Sequence, residues 1–548
     1  MANPIVIVNV SQAIAPAPSR LQKTGALISQ GATNLGVGNY GLLTQIADLV
    51  PLLATPLALT SLSWANSYGG QVTATTTVAH GIAINQQFVT TIVGALPAGY
   101  NGTVLATATG ASTFAYYLGV NPGSETAPGT YTPRNVGELT AMATTFFSQG
   151  AQQSVYVLEL GAGEPNAGVT ALTAFINGSP QKFYSYLVPR NWDGNANFLA
   201  MLANYESTTS KTYFFITTTL QNYQGYTALM KDVVPMIEAP ATGSYPSNVL
   251  TAAAYSGGVV TAATTTAHGI LPGQYFTIAG ATPAGYNGTF QALPGTTASA
   301  LLYAVPSDPG TISIEGTLQA HSYASPGIPA TEFSLAAGFY VALNYDPSST
   351  NKVTPYAFSY LFGVTPFPTQ GNSSLLTTLQ AANISYVGVG AEGGISNALM
   401  WKGHTKDGNP FNYWYSVDWM QINVDLAIAN AIFNGSNNPV NPLYYNQDGI
   451  NRLEQVSASV GASAITFGLA LGSVVQVGLN AADFTNNLNA GKYAGQLVVN
   501  AVPFVPYSIA NPSDYAIGKY AGLSMVYTPL RGFEQIIFNI VVSSFVAG

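Results

Sequence analysis

The sequence predicts an α/β (α+β) multi-domain core that carries two small, mutually similar all-β domains and exchanges a strand at each end with other copies. Three observations lead to this fold class. Strand and helix patterns alternate in the middle of the chain, a Thr- and Gly-rich segment occurs twice, and β-branched runs lie close to both termini.

The composition indicates an assembling protein with a largely covered surface. The 548 residues are long enough for several domains. Only 7% of them are charged, against roughly 25% in an average soluble protein. Uncharged surfaces associate readily, while the 47% hydrophobic content argues against disorder.

The N-terminus begins with a predicted strand on a linker, and we assign residues 1–20 to an N-terminal arm. The strand consists of Ile5, Val6, Ile7, Val8 and Val10. Pro16 and Pro18 follow it, cannot continue a sheet, and favour an extended linker that acts as a hinge.

A repeat marks the two predicted β domains, at 57–133 and 246–319. The stretch "GGQVTATTTVAHG" (69–81) returns as "GGVVTAATTTAHG" (257–269), and "PAGYNGT" occurs at both 97–103 and 283–289. The Asn-Gly pairs in these copies suit hairpin turns that need positive φ. We therefore expect two insertions in a discontinuous core made of 21–56, 134–245 and 320–548.

The core's middle section alternates strands and helices, which predicts a sheet with crossover helices. The predicted strands are 154–160, 182–188 and 211–219, and the predicted helices are 169–176, 196–205 and 225–238.

After the second β domain we expect helices at 331–345, 418–433 and 448–465 and strands at 384–390 and 411–417. Asp418 is placed to cap the 418–433 helix. The stretch 457–482 has no charge, but its Ser and Gly content favours a buried helix that leads into a strand, so we reject a membrane span.

The C-terminal arm, 531–548, is predicted to form a strand that is apolar on both faces and must lie inside a sheet. Its residues Phe533, Ile536, Ile537, Phe538, Ile540 and Val542 are the expected contacts, as are the N-terminal residues above. One donated strand gains little over its ordering cost, but strands exchanged in both directions become strong in a repeating assembly. These energetic arguments equally allow an ordinary terminal strand that pairs within its own chain.

No motif predicts catalysis, a cofactor or a metal. "GVGAEG" (388–393) matches the dinucleotide spacing, but no helical pattern follows it. His80 and His268 occupy matching turn positions, and His321 and His404 have no nearby ligand partners. Asp418 is explained as a helix cap and Asp425 as a polar position on the same helix, so neither needs a catalytic role. Cysteine is absent, and the net charge of −8 without a basic run argues against nucleic-acid binding. The N-terminus lacks an export signal.

The order of these parts resembles the contractile tail sheath proteins of bacteriophages. The resemblance is carried by "IVIVNVSQA", "YVLELG", "FYSYLVPRNW", "WKGHTKDGNPFNYWYSVDWMQINVDLAIANAIF", "NQDGINRLEQV" and "GFEQIIFNIVVSSF", and it covers the core and both arms. It does not extend to the two β domains.

The resemblance implies a structural subunit of the phage virion, assembled in the host cytoplasm, that forms six-fold rings stacked helically around a tail tube. The implied partners are other copies, the tail tube protein, and the baseplate and tail terminator proteins, with no cofactor, nucleic acid or stable membrane insertion. We expect the 448–465 helix to face the tube through Asn451, Arg452 and Gln455. The alternatives are another β-rich virion or decoration protein whose repeats bind a ligand or cell surface, and an α/β enzyme that uses the 388–393 loop.

Overall fold

The computed structural model describes residues 21–534 apart from short gaps. The gaps are 66–70, 83–86, 119, 151, 163–164, 208–209, 220–221, 228–229, 239–247, 266–267, 269, 271–274, 294, 298, 306, 321–330, 369–372 and 391–396. The described residues form two compact units: the core unit, which contains 23–415 and 530–534, and the C-terminal unit, which contains 416–529 together with 21–22.

The elements follow one another along the chain as a mixture of strands and helices. The first half contains β1 Gly25–Ser29, β2 Tyr40–Leu43, β3 Leu57–Ala65, β4 Gln71–Thr76, β5 Gln87–Val93, β6 Gly102–Gly110, β7 Thr113–Tyr117, β8 Thr130–Tyr131, α1 Arg134–Ser148, β9 Val155–Glu159, α2 Pro165–Gly178, β10 Ser185–Leu187, α3 Ala196–Leu202, β11 Tyr213–Thr218, β12 Val233–Ile237, β13 Asn248–Ser256 and β14 Val259–Thr264.

The second half contains more of the helical structure. It comprises β15 Tyr275–Ala279, β16 Gly288–Gln291, β17 Ala300–Ala304, β18 Thr317–Ala320, α4 Ser334–Leu343, β19 Tyr360–Leu361, α5 Ser373–Ala381, β20 Ser385–Gly388, β21 Ala398–Trp401, α6 Phe411–Ser436, α7 Gln447–Thr466, β22 Val474–Val477, α8 Ala481–Asn489, β23 Leu497–Ala501, α9 Phe504–Ala510, α10 Pro512–Ala516 and β24 Leu523–Val526. Mixed α/β structure is therefore confirmed.

A nine-stranded sheet organises the core unit, in the order β19-β21-β20-β12-β11-β10-β1-β9-β2. The strands from β20 to β9 run parallel, and antiparallel strands close both ends. Buried side chains of α2 and α3 pack on one face, including Leu172 and Phe198. On the other face, Phe339 of α4 contacts Phe215 with ring centroids 5.0 Å apart. Both faces are thus covered, as parallel sheets require.

Two segments of the core unit form separate six-stranded β structures. Module 1, residues 57–131, is a closed barrel in the order β3-β4-β7-β6-β5-β8. Module 2, residues 248–320, is a sheet in the order β16-β15-β18-β13-β14-β17, and an antiparallel bridge from Ala292 to Tyr303 joins its two ends. Each module has its own buried hydrophobic cluster.

The Asn-Gly pairs of the modules do not form the tight hairpin turns that we predicted. Positive φ occurs at Gly102 and Gly288. The preceding asparagine, however, binds the N–H and the C=O of one backbone residue through its side-chain amide, an arrangement that we call the asparagine clasp. Asn101 accepts from Ala95 N–H at 2.8 Å and donates to Ala95 C=O at 2.9 Å. Asn287 binds Ala281 in the same way. The side chain therefore stabilises a longer loop by imitating backbone pairing.

The C-terminal unit contains a small sheet in the order β22-β23-β24. The strands β22 and β23 are parallel, and β24 is antiparallel to β23. Helix α7 packs closely on this sheet, because Gly461 lies against the side chain of Leu497. The rings of Tyr445, Phe504, Tyr507, Tyr515 and Tyr520 pack together beside α9 and α10.

Most predicted elements are confirmed, and two are wrong. The 225–238 helix is wrong because its end forms the fully buried strand β12, with Pro235 opposite Ile216 of β11. The 411–417 strand is wrong because it forms the first turns of α6. Asp418 is consequently a buried residue inside that helix and not its cap. The predicted succession of a helix and a strand within 457–482 is confirmed by α7 and β22, and no described helix is both long and apolar enough to cross a membrane.

Candidate functional site

The crevice where α/β sheets usually bind ligands is filled with side chains in this protein. The connections after β1 and β10 lead in opposite directions, so a crevice is expected beyond their carboxyl ends. Trp192 is fully buried there, and its Nε1 donates to Gln30 Oε1 at 2.8 Å. Gly168 packs directly against both side chains. The tryptophan and the glutamine thus occupy the position of a ligand.

Glu159, at the end of β9, is buried with its carboxylate already satisfied. It accepts hydrogen bonds from Ser29 Oγ at 2.6 Å, Gly31 N–H at 2.6 Å and Gly161 N–H at 2.7 Å. Thr33 adds its N–H at 3.2 Å and its Oγ1 at 2.8 Å. These five donors use the acceptor capacity of a carboxylate. Glu159 therefore holds the ends of β1 and β9 together.

Arg190, which is half-buried, lies at the centre of a second charge cluster whose Glu238 and Glu332 are buried. Its Nε donates to Glu238 Oε2 at 2.8 Å, its backbone N–H donates to Glu138 Oε1 at 2.8 Å, and its Nη2 donates to the Glu332 carbonyl at 3.0 Å. Burial opposes the charge of the guanidinium, but Glu238 and the other glutamates outweigh it and raise the pKa of Arg190. The cluster ties the end of β12 to the starts of α1 and α4, which is a structural role.

The described residues offer no metal cluster and no dinucleotide loop. Among them no three His, Cys, Asp or Glu side chains converge as metal ligands. After Gly388, the last residue of β20, the next described element is strand β21 at Ala398, so no helix of the described chain follows the "GVGAEG" stretch to receive a phosphate. His80 and His268 lie in matching turns, while His321 lies outside the described residues.

The three-stranded sheet of the C-terminal unit has two edges that no described strand covers, and we call these its open edges. No described strand pairs with the outer side of β22 or β24, although β23 between them is completely buried. The residues of β22 are Val474, Val475, Gln476 and Val477, and those of β24 are Leu523, Ser524, Met525 and Val526. Neither strand contains a charge or a proline, the usual devices that protect an edge from another chain. These edges can therefore accept an added strand.

The described beginning of the C-terminal arm, together with Leu530, is held by the core unit, and we call residues 530–534 its root. Glu534 Oε1 lies 2.5 Å from His404 Nε2, and Glu534 Oε2 lies 3.2 Å from Lys402 Nζ. Arg531 hydrogen-bonds Asn409 and lies over the Tyr413 ring at 4.9 Å. Burial lowers the pKa of His404, and its Nε2 is the ring nitrogen that hydrogen-bonds the glutamate. Burial acts to raise the pKa of Glu534, but His404 and Lys402 outweigh it and lower that pKa.

Most predicted strand-exchange residues lie outside the described chain. These are Ile5, Val6, Ile7, Val8, Val10, Ile536, Ile537, Phe538, Ile540 and Val542, together with the hinge residues Pro16 and Pro18. Phe533 is described, and its side chain is 80% exposed. The open edges and the root at 530–534 were missed by sequence reasoning, because the pairing of β22 to β24 depends on contacts between distant segments.

The predicted tube-facing residues lie on α7. Asn451 and Gln455 are exposed, whereas Arg452 is half-buried. Arg452 Nη1 donates to Asn441 Oδ1 at 3.2 Å and to the Pro442 carbonyl at 3.1 Å. Its guanidinium therefore holds the loop between α6 and α7, while the role of all three residues toward a tube stays a prediction.

Comparisons with known proteins give a structural likeness but no sequence match. No protein-family model matches the sequence, and no curated protein matches it. Among solved structures, a sheath tail protein from Listeria innocua is similar with 10% sequence identity and a TM-score of 0.33, over 82% of this chain and 85% of that chain.

Proposed function

We propose that this chain is the structural subunit of a contractile phage tail sheath, and that it polymerises by exchanging its terminal strands with other copies. The observation that carries the proposal is the pair of open, uncharged edges on the sheet β22-β23-β24. The sequence contains two terminal segments, 5–10 and 533–545, whose β-branched and aromatic residues suit addition as strands to such edges. The resemblance of the sequence to tail sheath proteins supports the same role.

The energetics explain why exchanged strands would be stable only within a polymer. Burying an Ile or Val side chain contributes roughly 1.5–3 kcal/mol, whereas ordering its backbone costs about 1–2 kcal/mol per residue. A single donated strand of five or six residues is therefore weak. When each copy donates two strands and receives two, the later contacts form at high effective concentration. Head-to-tail donation does not close into a dimer but continues as a helical array.

The proposed partners and mechanism follow from this arrangement and from the resemblance. Copies would stack as six-fold rings around a tail tube protein, bounded by baseplate and terminator proteins, in the virion tail. The linker with Pro16 and Pro18 would let each body rotate while its strand stays in the neighbouring sheet. Free energy stored in the extended array at assembly would drive contraction. No catalytic step is proposed, because the sheet crevice is filled and Glu159 is satisfied.

Electron microscopy of the purified full chain tests the proposal. We expect hollow striated tubes from the full chain and none after deletion of residues 1–12, with circular dichroism unchanged. Introducing a charge on the open edge, Val526→Lys, should likewise abolish the tubes, since lysine protects edges from pairing. The matched control is Val505→Lys on α9, another exposed valine of the same unit. Unfolding of the truncated chain, or tubes formed equally by Val526→Lys, would contradict strand exchange.

A further inference from the structure

One exposed apolar surface of the core unit lies at the outermost strand of the large sheet. Phe358, Tyr360 and Phe362 occupy alternate positions along β19 and its flanks, and we call them the aromatic edge face. They are 37%, 56% and 54% exposed, while Leu361 between them is buried. Tyr360 and Phe362 alternate with the buried Leu361 and share one face of the sheet. Phe358 precedes β19 in a turn with a φ of 62°, and its ring reaches the same face by contacting Trp401. No described segment covers the exposed parts of these three aromatic side chains.

Further into the sheet the same aromatic layer is covered. The Phe358 ring contacts Trp401 with centroids 5.2 Å apart, and Trp401 stacks on Tyr386 at 5.9 Å. Leucines of α5, including Leu379, pack on Tyr386 and Trp401. Because α/β sheets normally bury both faces, the aromatic edge face is where an additional covering segment is missing from the described chain.

The C-terminal segment starts beside this face. Gly532 packs against Pro355, which lies three residues before Phe358. Glu534 is held by Lys402 and His404, which directly follow Trp401 at the end of β21. The exposed Phe533 lies between these two anchors. The root at 530–534 thus fixes the beginning of the C-terminal segment at one end of the aromatic edge face.

The length and chemistry of the segment fit the face. Residues 535–548, "QIIFNIVVSSFVAG", contain no charge and are mostly apolar. Fully extended they span roughly 46 Å, whereas the run from Phe358 to Phe362 spans roughly 13 Å. The backbone of Phe362 is already paired, since Gln149 Oε1 accepts its N–H at 2.8 Å and Gln149 Nε2 donates to its C=O at 2.6 Å. A segment docked here therefore contacts side chains and does not add a hydrogen-bonded strand beside Phe362.

We infer that in the unassembled chain residues 535–548 dock on the aromatic edge face of the same chain. The inference rests on the proposed function and adds a regulatory step to it. A C-terminal segment held on its own core unit is not available to a neighbouring copy. Polymerisation would then require the segment to leave the aromatic edge face for an open edge of another copy, so intramolecular docking competes with assembly.

Engineered disulfides test the docking directly, because the natural sequence has no cysteine. Tyr360→Cys is combined in turn with Ile536→Cys, Phe538→Cys and Ile540→Cys, and each full chain is oxidised at low concentration. The matched control places the first cysteine at Leu42 of β2, an exposed residue on the opposite edge strand of the same sheet. We expect a disulfide within one chain for at least one Tyr360 pair, at tenfold or greater yield over the Leu42 pairs.

Every other result would overturn the inference. Disulfides only between chains would place the segment on a second copy, equal yields at Leu42 would show non-specific encounter, and no disulfide would show no docking. If the variants fold poorly, hydrogen exchange of the natural chain is compared with that of a chain ending at Glu534. Amides of residues 357–362 should exchange at least tenfold faster after truncation, and unchanged rates would refute docking. Tube formation by electron microscopy is scored separately, so docking and sheath function can fail independently.

Discussion

Modules 1 and 2 share many buried side chains and differ mainly in where their large aromatic residues lie. The matched buried pairs are Leu59 and Leu250, Val72 and Val260, Ala74 and Ala262, Ile92 and Ile278, Ala95 and Ala281, Tyr100 and Tyr286, and Tyr116 and Tyr303. Their loops share the same clasp, and in each a tyrosine hydroxyl, Tyr100 or Tyr286, donates to a glycine carbonyl at 2.8 or 2.7 Å. The two modules therefore use one structural plan.

The large aromatic side chains are in different places. Module 1 has Phe114 and Tyr131, with ring centroids 5.4 Å apart, where module 2 has Leu301 and Leu318. Module 2 has its large aromatic residues on other strands, with Phe276 and Phe290 where module 1 has Thr90 and Val104. The Phe290 ring lies 4.4 Å from the Tyr303 ring, measured between centroids. The two modules thus keep one structural plan although their large aromatic side chains lie on different strands, as in cores that tolerate repacking.

The matched histidines provide the largest expected difference between the modules. In both, the imidazole Nδ1 accepts an N–H from the residue two positions later, at 3.1 Å. His268 is buried, and burial lowers its pKa to about 4. Because the folded pKa is below the unfolded value of about 6.5, the stability contributed by neutral His268 is present above pH 6.5 and is lost as the pH falls toward 4.

We therefore expect module 2 to lose up to roughly 3 kcal/mol of local stability between pH 6.5 and pH 4. Hydrogen exchange of the β14 and β17 amides at several pH values, corrected for intrinsic rates, measures this change. His268→Gln should flatten the pH dependence of module 2, and His80→Gln is the matched control for module 1. An unchanged pH profile in His268→Gln would show that another group is responsible.

The asparagine clasps should be equivalent in the two modules. Asn101→Ala and Asn287→Ala each remove one accepted and one donated backbone hydrogen bond, so each should cost about 1–3 kcal/mol of local stability. Hydrogen exchange of the two modules, measured in each variant, checks both the size of the loss and its confinement to one module. A loss in one module only would break the equivalence of the loops.

The matched tyrosines Tyr116 and Tyr303 should respond with opposite signs to loss of the hydroxyl. Tyr116 donates its OH to the Tyr100 carbonyl at 3.3 Å, whereas the buried Tyr303 hydroxyl has no hydrogen-bond partner among the described residues. Tyr116→Phe should therefore cost about 0.5–1.5 kcal/mol, and Tyr303→Phe should leave module 2 unchanged or more stable. Thermal unfolding and hydrogen exchange of the two variants measure the difference; equal losses would reveal an additional partner of Tyr303.

The core unit was predictable where local patterns and tertiary packing agree. The strands β9, β10 and β11 and the helices α2, α3 and α4 all occur where the sequence predicts them. The 225–238 prediction failed because a short apolar run does not distinguish a buried strand from a helix. Val233 and Ile237 became strand because both pair with β11, and Ile237 also pairs with Tyr386 of β20. No local pattern contains these neighbours.

The functional surfaces likewise include features that follow from residue order and features that arise only on folding. The scarcity of charge, the repeat that matches the two modules and the apolar segments at both ends are properties of residue order and can be read from it directly. Folding had to bring distant segments together before Trp192 and Gln30 filled the ligand crevice, before β22 and β24 became open edges, and before Glu534 was anchored on Lys402 and His404. Those arrangements join residues more than 100 positions apart or depend on which strand is left unpaired, and long-range packing alone selects them.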